Sequence, residues 1–181
     1  MFEIIHKYGF NFLQCSQIIK GYKNNKTGGL FFSDHFQANL NRKELLIEHL
    51  NNQSIHIEIS AFPFNVILPD FELEFSIIDM VKDQIFNEDC LYLNADKIQF
   101  PLQLWQIIHG DRFQPLGMKN SKKISDYLID KKVDRFKKEK TLVLTQNEKE
   151  ICAVIPFQIS EVFKVTPDNQ SVLLIQIKKA D

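Results

Sequence analysis

Glycine is scarce in this chain, six residues in 181, and that scarcity removes several chemistries. Loops that cradle phosphates need glycine to bring backbone N–H groups against the ligand. Neither G-x-x-x-x-G-K-[ST] nor a Gly-rich dinucleotide turn occurs, and G-x-S-x-G and H-E-x-x-H are also missing. A P-loop, a nucleophile elbow and a helical zinc-protease site are therefore not expected. Cysteine is equally sparse. Cys15, Cys90 and Cys152 are odd in number and lack C-x-x-C spacing, which argues against a disulfide framework or a zinc site and for reduced thiols in the cytoplasm. No apolar run reaches the ~18 to 20 residues that a membrane span needs. The opening MFEIIHKYGF lacks a basic flank and a long apolar segment, so a soluble cytoplasmic protein with no membrane partner is expected. A net charge of −1 gives no global pull toward nucleic acid.

What is present is a core and an uneven charge distribution. Hydrophobic residues make up 44% of the chain, ample for burial. Between Ile57 and Lys97 nine acids face two bases, whereas between Lys119 and Lys140 nine bases face four acids. The first 20 residues read as two short helices broken at YGFN, with Phe2, Ile4 and Ile5 on one stripe and Phe12, Cys15, Ile18 and Ile19 on the next, after an Asn11 cap. KNNKTGG is a turn, and LFFS, FQANLNR and ELLIEHL follow as short strands. A Pro-punctuated segment, Ala61 to Asp70, suggests a boundary near residue 68. Beyond it, Phe71, Leu73, Phe75 and Ile77 alternate with polar residues as in a half-buried strand. CLYL, LQLW, TLVLT, EICAVI and SVLLIQI are further strands. Two helices interrupt them, one capped by Ser121 with Ile124, Tyr127 and Leu128 buried, the other capped by Asp134. The expected class is α+β: a small helix-plus-hairpin unit at 1–68, then a mostly β, sandwich-like domain at 69–181 with two helices packed on one side.

The segment HGDRFQPLGMKNSKKISDYLID holds the most unusual composition. Gly110 and Gly117 give backbone freedom, Pro115 fixes one φ, and Phe113, Leu116 and Met118 are placed to anchor the loop, with Arg112 projecting or pairing with Asp111. Gly110, Asp111, Phe113, Pro115 and Gly117 are thus read as a structural loop. His109 beside Asp111 resembles a base and its orienter, but neighbours two apart on a loop do not fix that geometry, and no catalytic residue is assigned. His6, His35, His49 and His56 are scattered. Asp126 and Asp130, four apart on one helix face, read as a solvated face among lysines. Lys119, Lys122 and Lys123 fall at a helix start, where N–H groups and the helix dipole favour a phosphate, and Lys131, Lys132, Arg135, Lys137 and Lys138 continue the positive surface. Two readings stand side by side: a grip on a nucleic-acid backbone, and a lysine-rich solvated surface. Phe113, Tyr127 and Phe136 are read as core, so the tract has no stacking platform.

GDRFQPLGMKNSKKISDYLIDKKVDRFKKEK, followed by VFKVT and a last apolar strand, resembles the C-terminal domain of bacterial tRNA(Ile)-lysidine synthases. YGFNFLQCSQIIKG, GGLFFSDHFQANLNRKELLIE and LNADKIQFPLQLW resemble the segments that precede that domain. The resemblance implies an enzyme that uses ATP to attach lysine to the wobble cytidine of a tRNA(Ile) with a CAU anticodon. It also implies an N-terminal PP-loop domain, marked by S-G-G-x-D-S, that carries the chemistry. No such motif occurs here, and KTGGLFF lacks its serines and acid. The chain is therefore expected to be the C-terminal portion of a synthase, inactive alone and with no cofactor of its own; ATP and Mg belong to the full-length enzyme. Its implied partners are the tRNA and the PP-loop domain, with a homodimer as a further possibility. Gln103, Gln158 and Val162 stand where the family's pattern is basic. The implied tRNA contacts are then Arg112, Lys119, Lys122, Lys123, Lys131, Lys132, Arg135, Lys137 and Lys138. A structural or dimerisation module using VLLIQI and LFFS as edge strands is the rival reading.

Overall fold

Asn11 separates the first two helices. α1 (Phe2–His6) ends ahead of Gly9, whose φ of +79° breaks the helix, and α2 (Phe12–Lys23) starts after Asn11. The Asn11 side chain accepts from the Gln14 N–H and the Gln14 side chain accepts from the Asn11 N–H, both at 2.9 Å. This reciprocal capping box satisfies two otherwise orphaned donors. The computed structural model describes residues 1–42, 44–50, 54–79, 89–147 and 149–179. After α2 come β1 (Leu30–Phe32), β2 (Phe36–Asn41) and β3 (Glu44–His49), an antiparallel meander in that order. Ile5, Phe10, Cys15 and Ile18 meet Ala38 and Leu40 in one small core. The helical stripes are narrower than expected: Ile4 and Phe12 are 61% and 72% exposed, because these helices cover only one face of a three-stranded sheet.

The described residues of Met1–Gln53 and Val133–Glu139 form one unit, and those of Ser54–Lys132 and Lys140–Asp181 the other. The second unit opens with β4 (His56–Ile59) and β5 (Phe64–Ile67), then β6 (Phe71–Asp79), β7 (Cys90–Asn94) and β8 (Leu102–Gln106). Two short strands, β9 (Arg112–Phe113) and β10 (Lys122–Lys123), lead into α3 (Ile124–Asp130). α4 (Arg135–Glu139) groups with the first unit, lying against β2. β11 (Leu142–Gln146), β12 (Glu150–Ile155), β13 (Gln158–Ile159) and β14 (Ser171–Lys179) complete the chain. They form antiparallel sheets in the orders β13-β12-β11-β8-β4 and β5-β6-β14-β7. Inward residues of both sheets share a core: Leu102, Leu104, Leu142 and Leu144 from one, Leu73, Phe75, Leu173 and Ile175 from the other. The α+β class and the sandwich follow from that shared burial.

Three sequence expectations need correction. Residues 54–68 were grouped with the first unit, but β4 pairs with β8 and β5 with β6, so both belong to the sandwich. Ladder pairing outweighs the prolines that suggested a boundary there. VLLIQI lies inside β14, which is hydrogen-bonded to β6 on one side and β7 on the other, so it is no edge. Ser121 does not cap α3, whose N-cap is Lys123 with no side-chain cap. Asp134 does cap α4, its carboxylate accepting from the Lys137 N–H at 3.0 Å.

Leu173→Ala, in the central strand and fully buried, is expected to cost ~2–5 kcal/mol. Ile67→Ala, at a position 83% exposed, is expected to change stability by no more than ~0.5 kcal/mol. Urea unfolding of the two variants checks the contrast.

Candidate nucleic-acid interface

The loop before α3 is two tight turns stitched to the sandwich. In the first, the Asp111 N–H donates to the Ile108 carbonyl at 3.3 Å and the Asp111 carboxylate accepts from the Ile108 N–H at 2.9 Å, with Gly110 at φ +98°. In the second, the Met118 N–H donates to the Pro115 carbonyl at 2.9 Å and Gly117 takes φ +83°. A Cβ at either glycine would meet nothing within 4 Å, so the backbone angle and not space calls for glycine. The Gly117 N–H donates to the Glu161 carboxylate at 2.6 Å, and the Glu161 N–H donates to the Gln114 carbonyl at 2.7 Å. Phe113 is buried edge-on to Tyr127, with ring centroids 5.1 Å apart. Leu116 and Met118, expected as further anchors, are 37% and 41% exposed, since backbone bonds to residues 159–161 hold the turn without them.

The basic residues take their positions from this scaffold. β10 runs antiparallel to β9 with Lys122 opposite Phe113 and Lys123 opposite Arg112. Residues directly opposite share a face with Cβ atoms ~4.5–5.5 Å apart. Arg112 and Lys123 are therefore two exposed cations side by side, a placement that is repulsive unless an anion lies over it. The Arg112 guanidinium donates to the Ser121 carbonyl at 3.0 Å and to the Ser121 hydroxyl at 3.3 Å, which fixes its direction. Lys122 is half-buried and ion-paired with Asp130. The Lys131 ammonium sits 5.8 Å from the centre of the Tyr127 ring, and Lys132 ends the helix in the left-handed region at φ +58°. Among the described residues, Lys119, Lys123 and Lys132 form no ion pair.

The helix start is partly engaged by the fold. Its first N–H, that of Ile124, donates to the Asp111 carbonyl at 2.9 Å, and Asp126 places a carboxylate in the first turn. The basic residues are shared between the two units. Arg135, Lys137 and Lys138 belong to the first unit, where Arg135 pairs with Glu139 at 2.9 Å and Lys137 with Asp134 at 3.7 Å.

Other chemistries find little support. The Asp111 carboxylate is engaged by the Ile108 N–H, so nothing places it as the orienter of His109. The described residues contain no group of three His, Cys, Asp or Glu side chains able to hold a metal. At the KTGG turn the Gly28 N–H donates to the Leu40 carbonyl at 2.7 Å, and the Gly29 carbonyl accepts from the Leu40 N–H at 2.9 Å. These bonds tie the turn to β2. Burial pushes the Cys15 and Cys152 thiols up, helped at Cys152 by the nearby Glu150 carboxylate. No helix among the described residues is long and apolar enough to cross a membrane.

Sequence reasoning looked for stacking aromatics inside the basic tract and missed a recess elsewhere. His56 and Glu58 on β4 face Trp105 and Gln103 on β8, and with Phe100, Pro101 and Asn147 they line a recess of about 590 Å³. Outward alternation on both strands was the available signal; the pairing of β4 with β8 was not readable.

Comparison with known proteins fits this arrangement. The family model for the TilS substrate binding domain matches residues 1–50, and that for the TilS substrate C-terminal domain matches residues 105–176. The chain belongs to the tRNA(Ile)-lysidine synthase family. A tRNA(Ile)-lysidine synthase of Parabacteroides distasonis is 29% identical over 97% of the chain and 40% of its own length. Those of Bacteroides thetaiotaomicron and Caldanaerobacter subterraneus are 28% and 33% identical, over 98% and 57% of the chain and 39% and 22% of their own lengths. The chain thus spans about 40% of the synthases that it matches almost throughout. A crystal structure of a TilS C-terminal domain superposes with a TM-score of 0.59 at 16% identity, covering 70% of this chain and 99% of that one. That likeness establishes the fold.

Phe113→Ala is expected to cost ~3–5 kcal/mol, read by thermal or urea unfolding, because it removes the buried ring that holds the β9–β10 ribbon on α3. With a thiol reagent at neutral pH, Cys90, which is only partly covered, is expected to react first. The buried Cys15 and Cys152 are expected to react at the rate of unfolding.

Proposed function

We propose that this chain is the tRNA-holding part of a tRNA(Ile)-lysidine synthase. In this reading the synthase uses ATP to ligate lysine to the wobble cytidine of the CAU anticodon. The adenylation chemistry, with ATP and Mg, lies in a PP-loop domain, and the residues described here carry no catalytic site. The observation that carries the reading is the side-by-side placement of Arg112 and Lys123 on a ribbon anchored by Phe113. Two adjacent, exposed cations, of which Arg112 is oriented by Ser121, suit a phosphodiester backbone, and Lys119, Lys131 and Lys132 extend the charge within the same unit. Lys122 contributes less, being engaged by Asp130. In the first unit Lys138 is the better contact, since Arg135 and Lys137 have acidic neighbours within their own helix. Work in the cytoplasm, where tRNA is modified, goes with this reading.

The dimerisation reading retains β1 alone, an edge strand with Phe32 51% exposed, since β14 is enclosed on both sides.

Binding of tRNA(Ile) to this chain, followed as salt is raised, tests the proposal. Affinity is expected to fall log-linearly with salt, and Arg112→Glu with Lys123→Glu is expected to reduce the slope by ~1.5–2 and weaken binding at every salt concentration. A salt-independent or undetectable interaction, or ATP–pyrophosphate exchange by the chain alone, would count against it.

A further inference from the structure

We infer that the recess on the outer face of β4 and β8 takes an unpaired guanine base. The register supplies the first argument. His56 lies opposite Trp105 and Glu58 opposite Gln103, while the alternate residues Ile57, Ile59, Leu102 and Leu104 point into the core side of the sheet. The four outward side chains therefore form a two-by-two array, an aromatic row beside a hydrogen-bonding row. The rows lie two residues apart along the strands, ~6.8 Å. That spacing lets a ring resting on the aromatic row extend its hydrogen-bonding edge over the other.

Each row suits one part of a nucleobase. The Trp105 and His56 rings stand 5.6 Å apart at 62°, making a corner and not a closed stack. Trp105 is half-buried and Phe100, at another wall, is 46% exposed, so apolar surface remains for a further flat ring. In the other row the Gln103 amide donates to one Glu58 oxygen at 2.9 Å and the Ser60 hydroxyl to the other at 3.4 Å, which fixes the carboxylate and leaves each oxygen one further acceptor position. An ionised carboxylate only accepts. Guanine alone among the four bases presents two adjacent donors, its ring N–H and its amino group, as a match to a carboxylate edge. The Asn147 amide donates one N–H to the Gln99 side chain at 3.0 Å and the Gln103 amide one to Glu58, so the second N–H of each remains for an acceptor such as the guanine carbonyl. Among the described residues no lysine or arginine lines the recess, so a base suits it better than a phosphate. It occurs within a single unit of the fold.

The identity of the base donor rests on the tRNA reading above; the base preference does not. The chain contains one tryptophan, Trp105, so its fluorescence reports this site directly. Guanosine, an uncharged probe, is expected to quench Trp105 saturably, at least ~tenfold more tightly than adenosine, cytidine or uridine, with no dependence on salt. Glu58→Gln, at an exposed position that can keep its bond to Gln103, is expected to abolish the guanosine preference while circular dichroism and unfolding midpoint stay unchanged. Equal quenching by all four nucleosides, no quenching, or quenching by tetramethylammonium with none by guanosine would overturn the inference. Salt-dependent tRNA binding without a guanosine response would remove the base site and leave the tRNA reading. A guanosine response without tRNA binding would do the reverse.

Discussion

Burial of both sheets' inward side chains in one core dictates which residues the second unit shows to solvent. Strand side chains alternate, so once Ile57, Ile59, Leu102 and Leu104 are committed to the core, His56, Glu58, Gln103 and Trp105 must face outward together. The same rule governs the β9–β10 ribbon. Phe113 is drawn under Tyr127, which leaves its neighbour Arg112 outside and directly opposite Lys123. The surfaces read as functional are the complements of burial decisions made on the other face.

The two surfaces differ in physical kind. The ribbon concentrates positive charge, and its interaction with a polyanion is long-ranged and screened by salt. The recess carries an acid, an imidazole, an indole and amides, so it attracts no phosphate and works only at contact distance. A chain with net charge −1 can still engage nucleic acid in this way, because what counts is where the cations stand. In the proposed reading the ribbon positions the backbone and the recess reads a base, a division of labour common in nucleic-acid recognition.

Much of the architecture was legible. The Asn11 and Asp134 caps, both N-terminal helices, the meander strands, β6, and the longer strands β7, β8, β11, β12 and β14 follow from helical or period-two alternation or from apolar runs between turn residues, whereas the two-residue strands β9, β10 and β13 left no such pattern. What misled was local chemistry that lost to non-local pairing. Ala61 to Asp70 looked like a domain boundary because its prolines forbid ladder bonds at those positions, yet four of the five residues between Pro63 and Pro69 form β5 against β6. Ser121 looked like a helix cap but serves Arg112 instead. The apolar VLLIQI looked like an exposed edge because a run without polar alternation does not say on how many sides it is covered.

The amino-acid sequence by itself determined the α+β class, the family, the loop that requires Gly110 and Gly117, and the excess of basic residues between Lys119 and Lys140. Tertiary structure alone decided which of those residues stand together. It set Lys123 beside Arg112, gave Lys122 to Asp130, divided Arg135 and Lys138 from Lys131 and Lys132, and joined His56 to Trp105 across β4 and β8. The reason is that composition and spacing encode local conformation and burial tendency, while the partner across a strand is chosen by the packing of the whole core.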